Sequence, residues 1–147
     1  RIFGIDSPNL NANLWTTFLG IGELGMMISM ILGYALLFIG IGLFIQGWRE
    51  LYRARQKNRL VTTGLYRFVR HPQYTGLVIG LFGAGVVHWP TIFSVAIFPV
   101  IVLAYYLLAR REEKKVIEQF GDEYRVYQTR VPMFVPRLGQ WKGFVNN

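Results

Sequence analysis

Two long apolar runs set the terms for what this chain can fold into. The first extends from Leu14 to Trp48 with Glu23 as its one charged residue, and the second from Tyr74 to Ala109 with no Asp, Glu, Lys or Arg. The chain is 52% hydrophobic over 147 residues with a mean hydropathy of +0.31, high for a water-soluble domain. Met26 to Gln46 is the cleanest span: at about 1.5 Å per residue it crosses the roughly 30 Å hydrocarbon core of a bilayer. The reading is an all-α, polytopic membrane protein.

The second run is too long for one helix and short for two. "HWP" at 88–90 is the natural break, because Pro90 suits a first helical turn. It predicts a helical hairpin, Tyr74 to Val87 and Thr91 to Ala109. The first arm carries Gly76, Gly80, Gly83 and Gly85, and the Gly76-xxx-Gly80 spacing lets a neighbouring helix approach closely. Leu14 to Leu24 reads equally as an outer extension of the first span or as a separate interfacial helix. Residues 1–13, with Asp6, Pro8 and three asparagines, are a polar lead-in. The first residue is Arg1 rather than methionine, so a preceding segment is expected.

The organisation is a single membrane domain: a first span region (14–48), a basic loop (49–73), a hairpin (74–109) and a polar tail (110–147). In the tail, Arg110 to Phe120 reads as a helix with Val116, Ile117 and Phe120 on one side, and Gly121 as its stop. Taken alone, Tyr124 and Tyr127 have a bland reading as interfacial anchors. Pro132 and Pro136 then break regular structure.

Charge orients the chain. It holds 16 Lys+Arg against 8 Asp+Glu, a net charge of +8, and nearly all the cations fall in the loop and the tail. Basic segments flanking spans stay on the cytoplasmic side. About three spans satisfy this, with Asn9 and Trp89 outside and Arg55 and Lys115 inside. Trp15 and Trp89 would mark the outer interface and Trp48 the inner one. A multi-pass protein of the cell (inner) membrane is expected. Nucleic acid is a poor partner, since the cations flank spans rather than line one face. Cysteine is absent, which excludes disulfides, thiolate metal sites and a cysteine nucleophile.

The densest polar cluster stands at the start of the second run: "GLYRFVRHPQYTG", residues 64–76. Pro72 fits the first turn of the helix that follows, with His71 near its cap. The N-terminus of that helix favours an anion such as a carboxylate. Tyr66 and Tyr74 are close in sequence. The hairpin returns the tail to the same face, bringing Glu112 and Glu113 of "RREEKK". Acidic and aromatic groups around a helix N-terminus suit a small zwitterion bearing an aromatic ring. The competing reading is a non-enzymatic membrane subunit whose basic loops bind anionic lipids.

"NRLVTTGLYRFVRHPQYTG" followed by "RREEKKVIEQFGDEYRVYQTRVPMFVP" resembles the C-terminal core of the isoprenylcysteine carboxyl methyltransferase family, over residues 58–136. The wider group includes phospholipid and small-thiol methyltransferases. The resemblance implies S-adenosylmethionine bound at the cytosolic face and a lipophilic or lipid-anchored acceptor, with no metal. It puts cofactor contacts on Arg59, Leu60, Val61, Tyr66, His71, Pro72, Gln73, Tyr74 and Glu112, with Glu113 of lesser weight. Eukaryotic members carry an arginine four residues before the matching glutamate, where this chain has Leu108. Arg110 and Arg111 are the nearest candidates for a catalytic cation. The departure counts against a prenylcysteine carboxylate as acceptor.

Overall fold

The computed structural model describes residues 13–137, and within them all regular structure is helical. The expected positions of Arg1 and Asn9 lie outside the described residues. Helix α1 covers Leu14–Phe18, α2 Glu23–Gln56, α3 Pro72–Phe82, α4 Ile92–Phe120 and α5 Asp122–Arg130. A 3-10 turn, Gly64–Arg67, precedes α3, and a π-helical segment, Gly83–His88, follows it.

Among the described residues, α2 and α4 are the two helices long and apolar enough to cross a membrane. The 34 residues of α2 extend about 50 Å, well beyond a hydrocarbon core of about 30 Å. The basic loop is therefore shorter than the sequence implies. Arg49, Arg53 and Arg55 ride on the last turns of α2, because nothing between Trp48 and Gln56 breaks a helix. Likewise α4 runs unbroken through Ala109 and Arg110, so the first tail helix continues the second hairpin arm. Leu14–Phe18 is a separate short helix, closed by Asn13, whose side chain accepts from the Trp15 backbone N–H at 2.9 Å.

The hairpin breaks at the expected place with a different cap. Thr91 is the N-cap of α4, and its hydroxyl and that of Ser94 bond reciprocally to each other's backbone N–H groups. This capping box places Pro90 before the helix, fully buried, rather than in its first turn. The α1 segment closes this end: Leu14 N–H donates to the Pro90 carbonyl at 2.8 Å and Trp15 Nε1 to the Val87 carbonyl at 3.0 Å.

The core of the membrane part is a seam of small residues. Gly33, Gly40, Gly47 and Ala54 are the buried residues of α2. Their seven-residue spacing keeps them on one face with little drift. Gly40 meets Gly76 and Gly80 of α3, Gly33 meets Gly83 and His88, and Gly47 meets Pro72 and Gln73. Without a hydrophobic force between helices in lipid, such close backbone approach is what holds them together. The outward faces of α2 and α4 are apolar and exposed, as lipid-facing surfaces are: Ile31, Phe38 and Ile45 on α2, Phe93, Val100 and Leu107 on α4.

At the basic end a second cluster forms. Tyr124, Tyr127 and Val131 are buried, with Leu60, Val116, Ile117 and Phe120 packed around them. The apolar stripe expected on the tail helix is the face that receives α5. Gly121, at φ +60°, makes the turn between α4 and α5, where a side chain would be strained. Tyr124 and Tyr127 are thus core residues, not interfacial anchors.

Candidate active site

A cavity of about 560 Å³ opens at the basic end, between the end of α2, the 58–73 connection, the last turns of α4 and α5. That volume is within the range of about 300–1,000 Å³ usual for small-molecule sites. Of the residues singled out from the sequence, Arg59, Leu60, Val61, Tyr66, His71, Gln73 and Glu112 line it. Pro72 does not, being fully buried against Gly47 in the α2–α3 seam. Tyr74 stands just outside the lining and donates its hydroxyl proton to Glu112 Oε1 at 2.6 Å. Arg110 and Arg111 do not line the cavity. Both are exposed, and Arg110 reaches back along its own helix to the Tyr106 hydroxyl at 3.3 Å.

The connection is held in shape from α2. Glu50 accepts from the Leu65 backbone N–H at 2.9 Å, and Gly64, at φ +64°, lies directly against its carboxylate. A side chain there would be strained by the backbone and would push the Glu50 carboxylate off its bond to Leu65. The turn carries Tyr66 inward, where its ring is buried and its hydroxyl donates to the Gly47 carbonyl at 3.4 Å. Tyr127 of α5 donates to the Tyr66 carbonyl at 2.5 Å.

The start of α3 is fastened by the segment after α5. Arg70 N–H donates to the Pro132 carbonyl at 2.9 Å and His71 N–H to the Met133 carbonyl at 3.1 Å. Thr75 Oγ1 donates to the Phe134 carbonyl at 2.7 Å. The "VPMFVP" stretch is therefore a clasp on the helix N-terminus that bears His71 and Gln73.

Glu113, given lesser weight from the sequence, is the buried acid of the pair. Its carboxylate receives His71 Nε2 at 2.9 Å and Arg70 Nη1 at 3.0 Å on one oxygen, and Gln128 Nε2 at 3.2 Å on the other. Arg70, Lys115, Val116 and Tyr124 also line the cavity without having been singled out for it. Helical periodicity held a partial signal, since Glu113 lies one turn beyond fully buried Ala109 on the inward face of α4.

Electrostatics follow from burial. Burial, then the nearby Glu50 carboxylate, raises the Tyr66 phenol above its ordinary range. Burial, then Glu113, does the same to Tyr124, and burial, then Tyr124 and Tyr66, to Tyr127. All three remain neutral donors at physiological pH. Two buried donors of the site, Gln73 Nε2 and Arg70 Nε, have no hydrogen-bond partner among the described residues. An unpaired buried donor costs free energy unless water or a ligand meets it. The cavity thus combines donors at the α3 terminus, an exposed acid on its rim and apolar walls from Leu51, Leu60, Val61 and Phe120.

The sequence profile of the phospholipid methyltransferase family matches residues 28–123. Among curated relatives, the methanethiol S-methyltransferase of a Pseudomonas species is 32% identical over 108 residues, which is 71% of this chain and 38% of that protein. The cobalt-zinc-cadmium resistance protein CzcN of Cupriavidus metallidurans is 33% identical over 111 residues, 71% of this chain and 50% of that protein. Protein-S-isoprenylcysteine O-methyltransferase B of Arabidopsis thaliana is 35% identical over 85 residues, 57% of this chain and 43% of that protein. The chain thus spans half or less of the length of each of these relatives. No solved structure matches it significantly. The matched stretch covers more than half of the chain and contains α3, α4 and most of the cavity lining, and on that ground the chain belongs to the phospholipid methyltransferase family.

Proposed function

We propose that this chain forms the cofactor-binding core of an integral membrane methyltransferase that uses S-adenosylmethionine and methylates a lipophilic or membrane-partitioned acceptor from the cytoplasmic face. One observation carries the reading. Seven residues marked by the family resemblance, scattered from Arg59 to Glu112, line a single cavity at the basic end of two apolar helices.

The residues present fit such a cofactor. The terminus of α3, with Gln73 Nε2 unpartnered, would hold its carboxylate. Glu112 is placed to accept from its ammonium or ribose hydroxyls. Leu51, Leu60, Val61 and Phe120 offer apolar walls to the adenine ring. When bound, the cofactor supplies an electrophilic methyl group on a sulfonium, so the difficult chemistry is its own.

The protein's task is alignment and exclusion of water. Tyr74 is the pivot: it bonds Glu112 on the cavity side, and its ring stacks on Tyr105 of α4 with centroids 5.4 Å apart. Tyr105 lies about two turns up α4 from Glu112, toward the apolar part of the helix. The pair therefore marks the seam between cavity and lipid, where an acceptor with an apolar tail would be positioned by the membrane itself.

Leu108, exposed on α4, presents no charge there. A carboxylate acceptor would lack its direct counter-ion, so a thiol or an amine fits better. Methanethiol, the acceptor named for one group of relatives, is such a thiol. The test is methyl transfer from labelled S-adenosylmethionine to methanethiol, a lipid amine and a prenylcysteine, using the chain reconstituted in vesicles. Turnover of the thiol or amine is expected. Turnover of the prenylcysteine alone, unaltered by Leu108→Arg, would overturn the acceptor assignment.

A further inference from the structure

We infer that Glu113 is a positioning residue that fixes the His71 ring and so decides which imidazole nitrogen a ligand in the cavity meets. The inference depends on the proposed function only for the identity of that ligand.

Glu113 is enclosed, with 8% of its side chain exposed. Its carboxylate is met by three donors from two parts of the fold: His71 and Arg70 before α3, and Gln128 of α5. Tyr124 lies against the same group. An ionised carboxylate accepts hydrogen bonds and donates none. His71 Nε2 must therefore carry a proton, and in the neutral ring Nδ1 is then the acceptor. Arg70 already balances the Glu113 charge at 3.0 Å, so the imidazole is not required as counter-ion.

The ring has little freedom to turn. Tyr74 and Phe134 flank it at centroid distances of 5.7 and 5.9 Å, and its own backbone N–H is tied to Met133. Among the described residues Nδ1 has no hydrogen-bond partner, the atom is not enclosed, and His71 lines the cavity. The cavity thus meets a bare acceptor nitrogen close to the exposed acid Glu112. Two acceptors of this kind suit a ligand group that can donate to both at once, which for the proposed cofactor is its α-ammonium group with three N–H donors.

The chain has two histidines, so ¹⁵N-histidine labelling gives two ring systems, and His88→Asn assigns them. In detergent without ligand, at about pH 8, above the ordinary imidazole range, the wild type is expected to show His71 protonated at Nε2 and bare at Nδ1. Glu113→Gln, whose amide can donate as well as accept, is expected to give mixed tautomers. In parallel, wild type should prefer S-adenosylhomocysteine over its deaminated analogue by about tenfold or more, the size of one charge-assisted hydrogen bond. Glu113→Gln should shrink that preference while leaving affinity for the deaminated compound nearly unchanged, which a general loss of structure would not do. Protonation of wild-type His71 at Nδ1 would overturn the inference even if the variant does not fold. An unchanged tautomer and an unchanged preference in Glu113→Gln would overturn it too. A shifted tautomer with no binding of either compound would uphold the positioning role and overturn the reading of the cavity as a cofactor site.

Discussion

Gly40 of α2 and Gly76 of α3 meet backbone to backbone, so closely that a Cβ added at Gly76 would lie 2.6 Å from the Gly40 carbonyl oxygen. The contact does more than join two helices. Two turns further along the same seam, Gly47 packs on Pro72 and Gln73, so the approach at Gly40 sets where the polar start of α3 stands relative to α2. The cavity walls contributed by Leu51 and Arg55 on one side and His71 and Gln73 on the other inherit that spacing.

Enlarging the seam should therefore destabilise the fold. Gly40→Ala is expected to cost roughly 1–3 kcal/mol and Gly40→Leu more, the usual scale of overpacking. Gly42→Ala, whose added Cβ would meet nothing within 4 Å, is the matched control and should be neutral. Unfolding titrations in detergent micelles measure the difference. Equal midpoints for the two alanine variants would show that the seam is looser than described.

On the rim of the cavity, Glu112 and Tyr74 form one unit through their 2.6 Å hydrogen bond. Glu112→Ala should weaken S-adenosylhomocysteine binding about 10- to 100-fold, the loss of a charge-assisted hydrogen bond of about 1.5–3 kcal/mol. Tyr74→Phe keeps the acid and removes only its orienting donor, so its effect should be smaller. Titration calorimetry decides the order. A larger loss in Tyr74→Phe would mean that the phenol, rather than the acid, meets the ligand.

The two ends of the molecule should face opposite sides of the membrane. Leu19, beside the α1 closure, and Lys57, at the end of α2, are both exposed. Because the chain has no cysteine, Leu19→Cys and Lys57→Cys can each be labelled singly. In intact cells an impermeant maleimide should reach position 19 and miss position 57. Labelling of 57 alone would invert the orientation.

How much of this was legible beforehand depends on the range of the interaction. The long helices, the break at 88–90, the Gly76–Gly80 contact surface and the stop at Gly121 all follow from local composition. The expected cofactor contacts come instead from the family resemblance of residues 58–136. The Gly33–Gly40–Gly47–Ala54 spacing was also present in the sequence, hidden among other glycines of α2 that face outward, such as Gly42. The division of labour between Glu112 and Glu113 was not legible. Adjacent residues on a helix point about 100° apart, and which one faces inward depends on where α5 and the 131–135 clasp dock. The same holds for Tyr124 and Tyr127, whose burial requires partners at Leu60 and Tyr66, far away in sequence.

The most direct test of the account is binding of S-adenosylhomocysteine to the purified wild-type chain in detergent, by calorimetry with thermal unfolding as a second readout. A dissociation constant in the micromolar range, about −8 kcal/mol, is predicted, together with a rise in the unfolding temperature that is lost in Glu112→Ala. Absence of both heat and thermal shift at about millimolar ligand, where even an affinity near −4 kcal/mol would register, would contradict the assignment of the cavity as a cofactor site.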